Sequence, residues 1–237
     1  SQQEDKPVPG VMPVEKATGT ETTITLPVLL NGQILPGEVD RYRFRASKGQ
    51  HLVVAVGSRQ LIPYLPDAVP GWFQAAVTLF DPAGAEIARG DDLRFRPDPV
   101  LHCEIPKDGE YVLEVRDALY RGREDFVYRI AIGELPYLTG LFPLGGRTGE
   151  VIPIDLVGWN LPATTLKSPA QPRGVHFVSV LKGTLLSNRK PFVVDTMPEC
   201  REREPNNEIS SAQRIGLPVV INGRIDHPGD KDVFCFE

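Results

Sequence analysis

A stretch near the start of the chain returns at its end, and this internal repeat constrains the architecture before any motif is weighed. Leu26-Pro-Val-Leu-Leu-Asn-Gly-Gln-Ile-Leu-Pro-Gly-Glu-Val-Asp-Arg-Tyr-Arg-Phe44 aligns with Leu217-Pro-Val-Val-Ile-Asn-Gly-Arg-Ile-Asp-His-Pro-Gly-Asp-Lys-Asp-Val-Phe-Cys-Phe236, with one extra residue in the second copy and ten identical positions. Asn31/Asn222, Gly32/Gly223, Gly37/Gly229, Asp40/Asp232 and Phe44/Phe236 are among the identities, and Tyr42/Phe234 and Glu38/Asp230 keep their chemistry. A chain of 237 residues has room for one or two ordinary domains. The second copy is too short to fold alone, because it supplies at most two strands and a lone hairpin is marginal in water. The chain is therefore expected to be a modular array cut off inside its second unit.

Between the copies the apolar residues follow the strand period. Arg41-Tyr-Arg-Phe-Arg45 places Tyr42 and Phe44 on one face, and Phe126, Tyr128, Ile130 and Ile132 share another. Asp81-Pro-Ala-Gly84 and Pro106-Lys-Asp-Gly109 are turns, with Pro presetting one dihedral and Gly accepting a positive one. With 23 Pro, 22 Gly and two Met, the sequence predicts an all-β protein with little helix, built as sandwiches or barrels. A net charge of -5 with both signs mixed lacks the basic stripe that nucleic acid requires. No apolar run approaches the roughly 20 residues that span a bilayer. The chain begins at Ser1 without an apolar signal, so any export signal is expected to have been removed or to lie outside this piece.

Composition shifts suggest four segments: a polar, Pro-containing linker at residues 1–22, a β-sandwich at 23–134, a small spacer at 135–200, and the start of a second sandwich at 201–237. The first sandwich resembles the bacterial pre-peptidase C-terminal domain family. The resemblance is carried by Gly32, Gly37-Glu-Val-Asp40 with Tyr42 and Phe44, Lys48-Gly-Gln50, Leu79-Phe-Asp-Pro-Ala-Gly84, Asp91-Asp92 and Gly109-Glu-Tyr-Val-Leu-Glu-Val115. Gly145-Gly146, Gly149 and Gly158-Trp-Asn-Leu161 resemble IPT/TIG-type immunoglobulin-like modules. The resemblance implies a jelly-roll-like β-sandwich followed by a small immunoglobulin-like one, in an accessory role without chemistry.

The strongest candidate site is ionic. Glu202, Glu204 and Asn206 alternate in a segment that Pro205 biases toward extended conformations, so their side chains can converge. Asp230 and Asp232 alternate likewise, and Asn207 offers a sixth oxygen. Six to eight hard oxygens are what Ca²⁺ requires. The resemblance adds that calcium-binding members of the family use a Glu-x-Glu-Pro-Asn stretch with acids of a Gly-Asp-x-Asp turn, which implies calcium in the second copy only. The alternative is a solvated linker whose Asp residues cap a turn. The first copy has Glu38 and Asp40 but no acidic arm, so Asp40 is expected to be structural, bonding backbone amides where a strand begins.

Tyr64, Trp72 and Phe73 sit in a long aromatic insertion and are candidates for a platform holding a sugar ring or a peptide, the alternative being a flap with its rings packed inward. No Gly-x-Ser-x-Gly, His-Glu-x-x-His or phosphate-binding glycine loop is present. His51, His102, His176 and His227 lack metal-ligand spacing, and Cys103, Cys200 and Cys235 leave an odd count, with Cys200 and Cys235 the one pair the acidic arms would bring near each other. The expected function is a non-catalytic accessory module, extracellular, cell-surface or periplasmic, that binds matrix polysaccharide or protein or spaces neighbouring domains of the same polypeptide. The alternative is a non-catalytic part of a secreted peptidase whose catalytic domain lies elsewhere.

Overall fold

The structure is a computed structural model that describes residues 14–16 (backbone only), 21–61, 71–94, 96–168 and 170–236. Among these residues the regular structure is strand, apart from one 3₁₀ turn at Ile209–Ser211. No helix among them is long and apolar enough to cross a membrane. The chain divides into two compact units, one running to Pro136 and including Leu181–Leu186, the other holding Tyr137–Val180 and the residues from Ser187 on.

The first unit contains β1 (Val14–Lys16), β2 (Glu21–Thr23), β3 (Val28–Gln33), β4 (Asp40–Ala46), β5 (His51–Gly57), β6 (Ala75–Phe80), β7 (Glu86–Gly90), β8 (Val100–Glu104), β9 (Gly109–Asp117) and β10 (Val127–Gly133). They form two five-stranded sheets, ordered β1-β3-β10-β5-β8 and β2-β4-β9-β6-β7. The alternation along β4 buries Tyr42 and Phe44 and turns Arg41 and Arg45 to solvent. From the facing sheet come Leu30, Leu52, Val54, Tyr128 and Ile130, and together these side chains make one continuous core. Full burial of a side chain of this size stabilises by about 1.5–3 kcal/mol. The outward arginines pair across strands, Arg41 with Glu114 and Arg43 with Glu21, each at 2.8 Å. Such solvated pairs contribute little stability. The stretch expected as a linker supplies β1 and most of β2. Both lie parallel to their neighbours at sheet edges, where pairing uses backbone groups and asks nothing of side-chain apolarity.

The second unit contains β11 (Tyr137–Phe142), β12 (Gly145–Arg147), β13 (Pro153–Trp159), β14 (Thr165–Lys167), β15 (Gly174–Val178) and, after the hairpin β16 (Leu181–Lys182) and β17 (Leu185–Leu186) of the first unit, β18 (Lys190–Asp195). Two three-stranded sheets, β11-β13-β14 and β12-β18-β15, close on Leu138, Leu141, Ile154, Leu156, Phe192 and Val194 as a small immunoglobulin-like sandwich. The same unit includes β19 (Glu199–Arg201), β20 (Gln213–Arg214), β21 (Val220–Asn222) and β22 (Phe234–Cys235).

These last four strands repeat the opening of the first unit in register. β1 runs parallel to β3 with Lys16 opposite Asn31, and β19 runs parallel to β21 with Arg201 opposite Asn222. β2 runs parallel to β4 with Thr22 opposite Tyr42, and β20 runs parallel to β22 with Gln213 opposite Phe234. Ile24 N donates to Arg43 O and Ile215 N to Cys235 O, both at 2.9 Å. The copies part company in what covers them. β3 and β4 continue into β10 and β9, whereas β19-β21 and β20-β22 are two-stranded sheets. Phe44 is 1% exposed and its counterpart Phe236 62%; Ile34 is 0% exposed and Ile225 65%.

The terminal strands are fastened to the immunoglobulin-like sandwich. Leu144 N donates to Asn222 Oδ1 at 3.1 Å, and Arg201 donates to Pro153 O at 2.5 Å. The Arg224 guanidinium lies 4.3 Å from the centre of the Phe142 ring.

Candidate metal centre

Glu202 leaves the end of β19 with its backbone N–H on Asn222 O, which sets its side chain beside the turn that follows β21. Its Oε1 accepts from Arg224 N at 2.7 Å, while Oε2 is buried without a hydrogen-bond partner. Asp232, at the end of the long β21–β22 connection, meets it there, and its Oδ1 is likewise buried and unpartnered. Carboxylate oxygens of Glu202, Glu204 and Asp232 all lie within 4.8 Å of one another.

Asn206 is fully buried beside this cluster. One side-chain atom of its amide faces three oxygens at 3.2 Å, namely Glu204 Oε1, Glu204 Oε2 and Lys231 O. With nitrogen there, the amide donates to them. With oxygen there, four oxygens converge and need a proton, a water or a cation among them, whereas nitrogen there satisfies both side-chain atoms of the amide. Asp230 is 9% exposed; its Oδ2 accepts from Asp226 N at 2.7 Å and its Oδ1 has no partner. Asn207 instead turns its oxygen to Lys231 N at 2.7 Å, fastening the acidic arm to the Asp230-Lys-Asp232 turn.

Burial, with the facing Asp232 carboxylate next to it, raises Glu202 above the usual carboxylate range, against the lowering effect of the Arg224 N–H. Within the cluster Glu202 Oε2 and Asp232 Oδ1 are unpartnered, which costs several kcal/mol unless a proton or a cation lies between them; the unpartnered Oδ1 of Asp230 is not among the oxygens that converge there. The donors are hard oxygens from side chains and a backbone carbonyl, the set a Ca²⁺-sized ion takes, and the residues present fit such an ion.

Asp40, the first-copy counterpart of Asp232, does not bond backbone amides as expected. Its Oδ2 accepts the hydroxyl of Tyr128, and the Tyr42 hydroxyl lies 2.5 Å from that of Tyr128. Burial raises Asp40 above its ordinary value and raises both tyrosines too. Tyr128 lies 88 residues from Asp40, and only the β3–β10 pairing brings it to this point.

Of the proposed aromatic platform, Tyr64 lies outside the described residues. Phe73 is corrected: at 1% exposure it belongs to the core, stacked on Phe126 at 5.3 Å between ring centres. The buried Asp117 holds its segment in place. That carboxylate accepts from Gln74 N, Leu119 N and Arg121 N and from the Arg121 guanidinium, which in turn donates to Trp72 O. Burial would raise Asp117, but Arg121 and these backbone donors hold it below its ordinary value. Trp72 is half-buried, and the Arg59 guanidinium covers its ring at 4.2 Å.

Two further features concern the histidines and cysteines. His51 and His102 stack with ring centres 5.6 Å apart, because β5 and β8 pair; spacing along the chain gave no sign of it. Burial, then the neighbouring His51, lowers His102 below the usual imidazole range. Cys103, Cys200 and Cys235 are free thiols, and Cys235 is exposed.

No protein-family model and no curated protein matches this sequence. Among solved structures the chain is similar to the pre-peptidase C-terminal domain of a collagenase from Bacillus anthracis, at 15% identity and a TM-score of 0.35, over 49% of this chain and 97% of that one. It is also similar to periplasmic inhibitors of g-type lysozyme. The one from Aeromonas hydrophila matches at 20% identity and a TM-score of 0.33, over 48% of this chain and 96% of that one. The one from Salmonella Typhimurium matches at 21% and 0.33, over 49% and 98%.

Proposed function

We propose that the chain is a non-catalytic accessory segment of an exported protein: a complete pre-peptidase C-terminal-type sandwich, an immunoglobulin-like spacer, and the opening of a second such sandwich, where Ca²⁺ binds. Its work is to hold matrix polysaccharide or protein, or to space neighbouring domains. The reading rests above all on the identical registers of the parallel pairs β1-β3 and β19-β21, and of β2-β4 and β20-β22. The apolar positions that the first copy buries are exposed in the second, as Phe236 and Ile225 are, which suits a sandwich whose further strands come from elsewhere.

Glu202, Glu204, Asn206, Asp230 and Asp232 hold the ion, with Lys231 supplying a backbone carbonyl. Asn207 orients the turn. The ion neutralises carboxylates that face one another, of which Glu202 Oε2 and Asp232 Oδ1 otherwise have no partner. Calorimetric titration of the whole chain with CaCl₂ tests this. Binding is expected in wild type and in Arg203→Ala, and is expected to weaken at least tenfold in Glu204→Gln and Asp232→Asn. Equal heats from all four proteins, or no heat from wild type, would remove calcium from the reading and leave the segment as a plain connector.

A further inference from the structure

The two copies differ at one point in what lies over the same glycine. An added Cβ at Gly223 would stand 2.8 Å from Glu202 Oε2 and 2.9 Å from Asp232 Oδ2; at the equivalent Gly32 it would stand 2.3 Å from the hydroxyl oxygen of Tyr128. Tyr128 gives that hydroxyl to Asp40, which occupies the place of Asp232 in the repeat. The first copy keeps an acid, Glu38, in the place of Asp230 but lacks the acidic arm. Lys16 lies opposite Asn31 as Arg201 lies opposite Asn222, and the residue after Lys16 is Ala17 where the second copy has Glu202.

We propose that the Tyr128 hydroxyl fills, in the first sandwich, the position that a cation takes in the second, so that one copy is closed by a shared proton and the other by an ion. The comparison rests on the calcium reading above; the bond between Tyr128 and Asp40 does not. Charge decides which partner serves. A phenol donates one hydrogen bond and carries no charge, so it satisfies a single buried carboxylate such as Asp40. The facing carboxylates of Glu202, Glu204 and Asp232 carry too much negative charge for one neutral donor and call for a divalent cation. Tyr42 completes the first arrangement by pairing its hydroxyl with that of Tyr128, so no phenolic oxygen is left unpaired in the core.

Removing the hydroxyl alone therefore exposes the charge on Asp40. The titratable groups around that carboxylate are Tyr128 from β10, Tyr42 from β4 and Glu38 from the preceding turn. In Tyr128→Phe the carboxylate loses its donor, and its proton affinity in the folded state rises further above the unfolded value. The variant then recovers stability as pH falls, because the folded state binds the extra proton. A side chain that only filled space would show no such slope.

The experiment uses the whole chain and follows hydrogen exchange of peptides from β3, β4 and β10 at several pH values. At pH 8, Tyr128→Phe is expected to exchange at least tenfold faster than wild type in all three strands, with the excess shrinking toward pH 5. Tyr42→Phe leaves the Tyr128–Asp40 bond in place and is expected to show a smaller, pH-independent change. Asp40→Asn added to Tyr128→Phe is expected to abolish the pH slope. A Tyr128→Phe excess of equal size at every pH overturns the proposal, as does wild-type protection in these strands that rises with calcium. Absence of calcium binding at the second copy would undo the reading of that site without touching the pH profile.

Discussion

Trp72 and Phe73 are neighbours with opposite surroundings, one under a surface guanidinium and the other in the core. Phe73→Ala is expected to cost about 3–5 kcal/mol, the usual loss for truncating a buried phenylalanine. Trp72→Ala is expected to cost less than about 1 kcal/mol, as for a change away from the core. Thermal unfolding of the two variants checks the contrast, and comparable losses would show that the Trp72 ring is a packing element too. Sequence did not distinguish these rings, because a long insertion has no strand period from which to read an inward face. Asp40 was legible as structural, but its partner was not. Tyr128 showed only as an apolar position in an alternating run, and its hydroxyl gains meaning once β10 lies beside β3. The acidic residues of the second copy were legible because alternation around Pro205 and the Asp230-Lys-Asp232 turn are local patterns. The use of the Asn207 oxygen on Lys231 N was not, since it depends on how the two arms meet.

Among the elements, those with clean alternation were legible. β4 buries Tyr42 and Phe44 and exposes Arg41 and Arg45, and β10 buries Tyr128, Ile130 and Ile132. The edge strands β1 and β2 were hidden in a polar stretch, since parallel pairing at an edge draws on backbone groups alone. Unequal coverage of the copies should be visible in solution. Amides of β3 and β4, inside five-stranded sheets, are expected to exchange at least a hundredfold more slowly than those of β21 and β22, which lie in two-stranded ones. Hydrogen exchange by mass spectrometry reads this directly, and equal protection would mean that the terminal pairs are covered by a further copy of the chain.

At the scale of the whole molecule, the proposed cation site is expected to tie pH to stability in opposite senses with and without calcium. In metal-free protein Glu202 is raised above its unfolded value, so its contribution is complete below the unfolded carboxylate range and is lost as pH rises through the folded value. Calcium requires the deprotonated carboxylate, so its added stabilisation should grow across that same rise. Melting curves between pH 5 and 8, in chelator and in millimolar CaCl₂, are expected to diverge with pH. A constant gap would show that no carboxylate gives up a proton on binding. The repeat itself carries a consequence for how such a molecule can change over generations. Gly32 and Gly223 are the same letter in both copies, yet one is hemmed in by a phenol ring and the other by two carboxylates. Once a module has been copied, identical residues can come under unrelated constraints. A substitution tolerated at one position then predicts nothing about its twin.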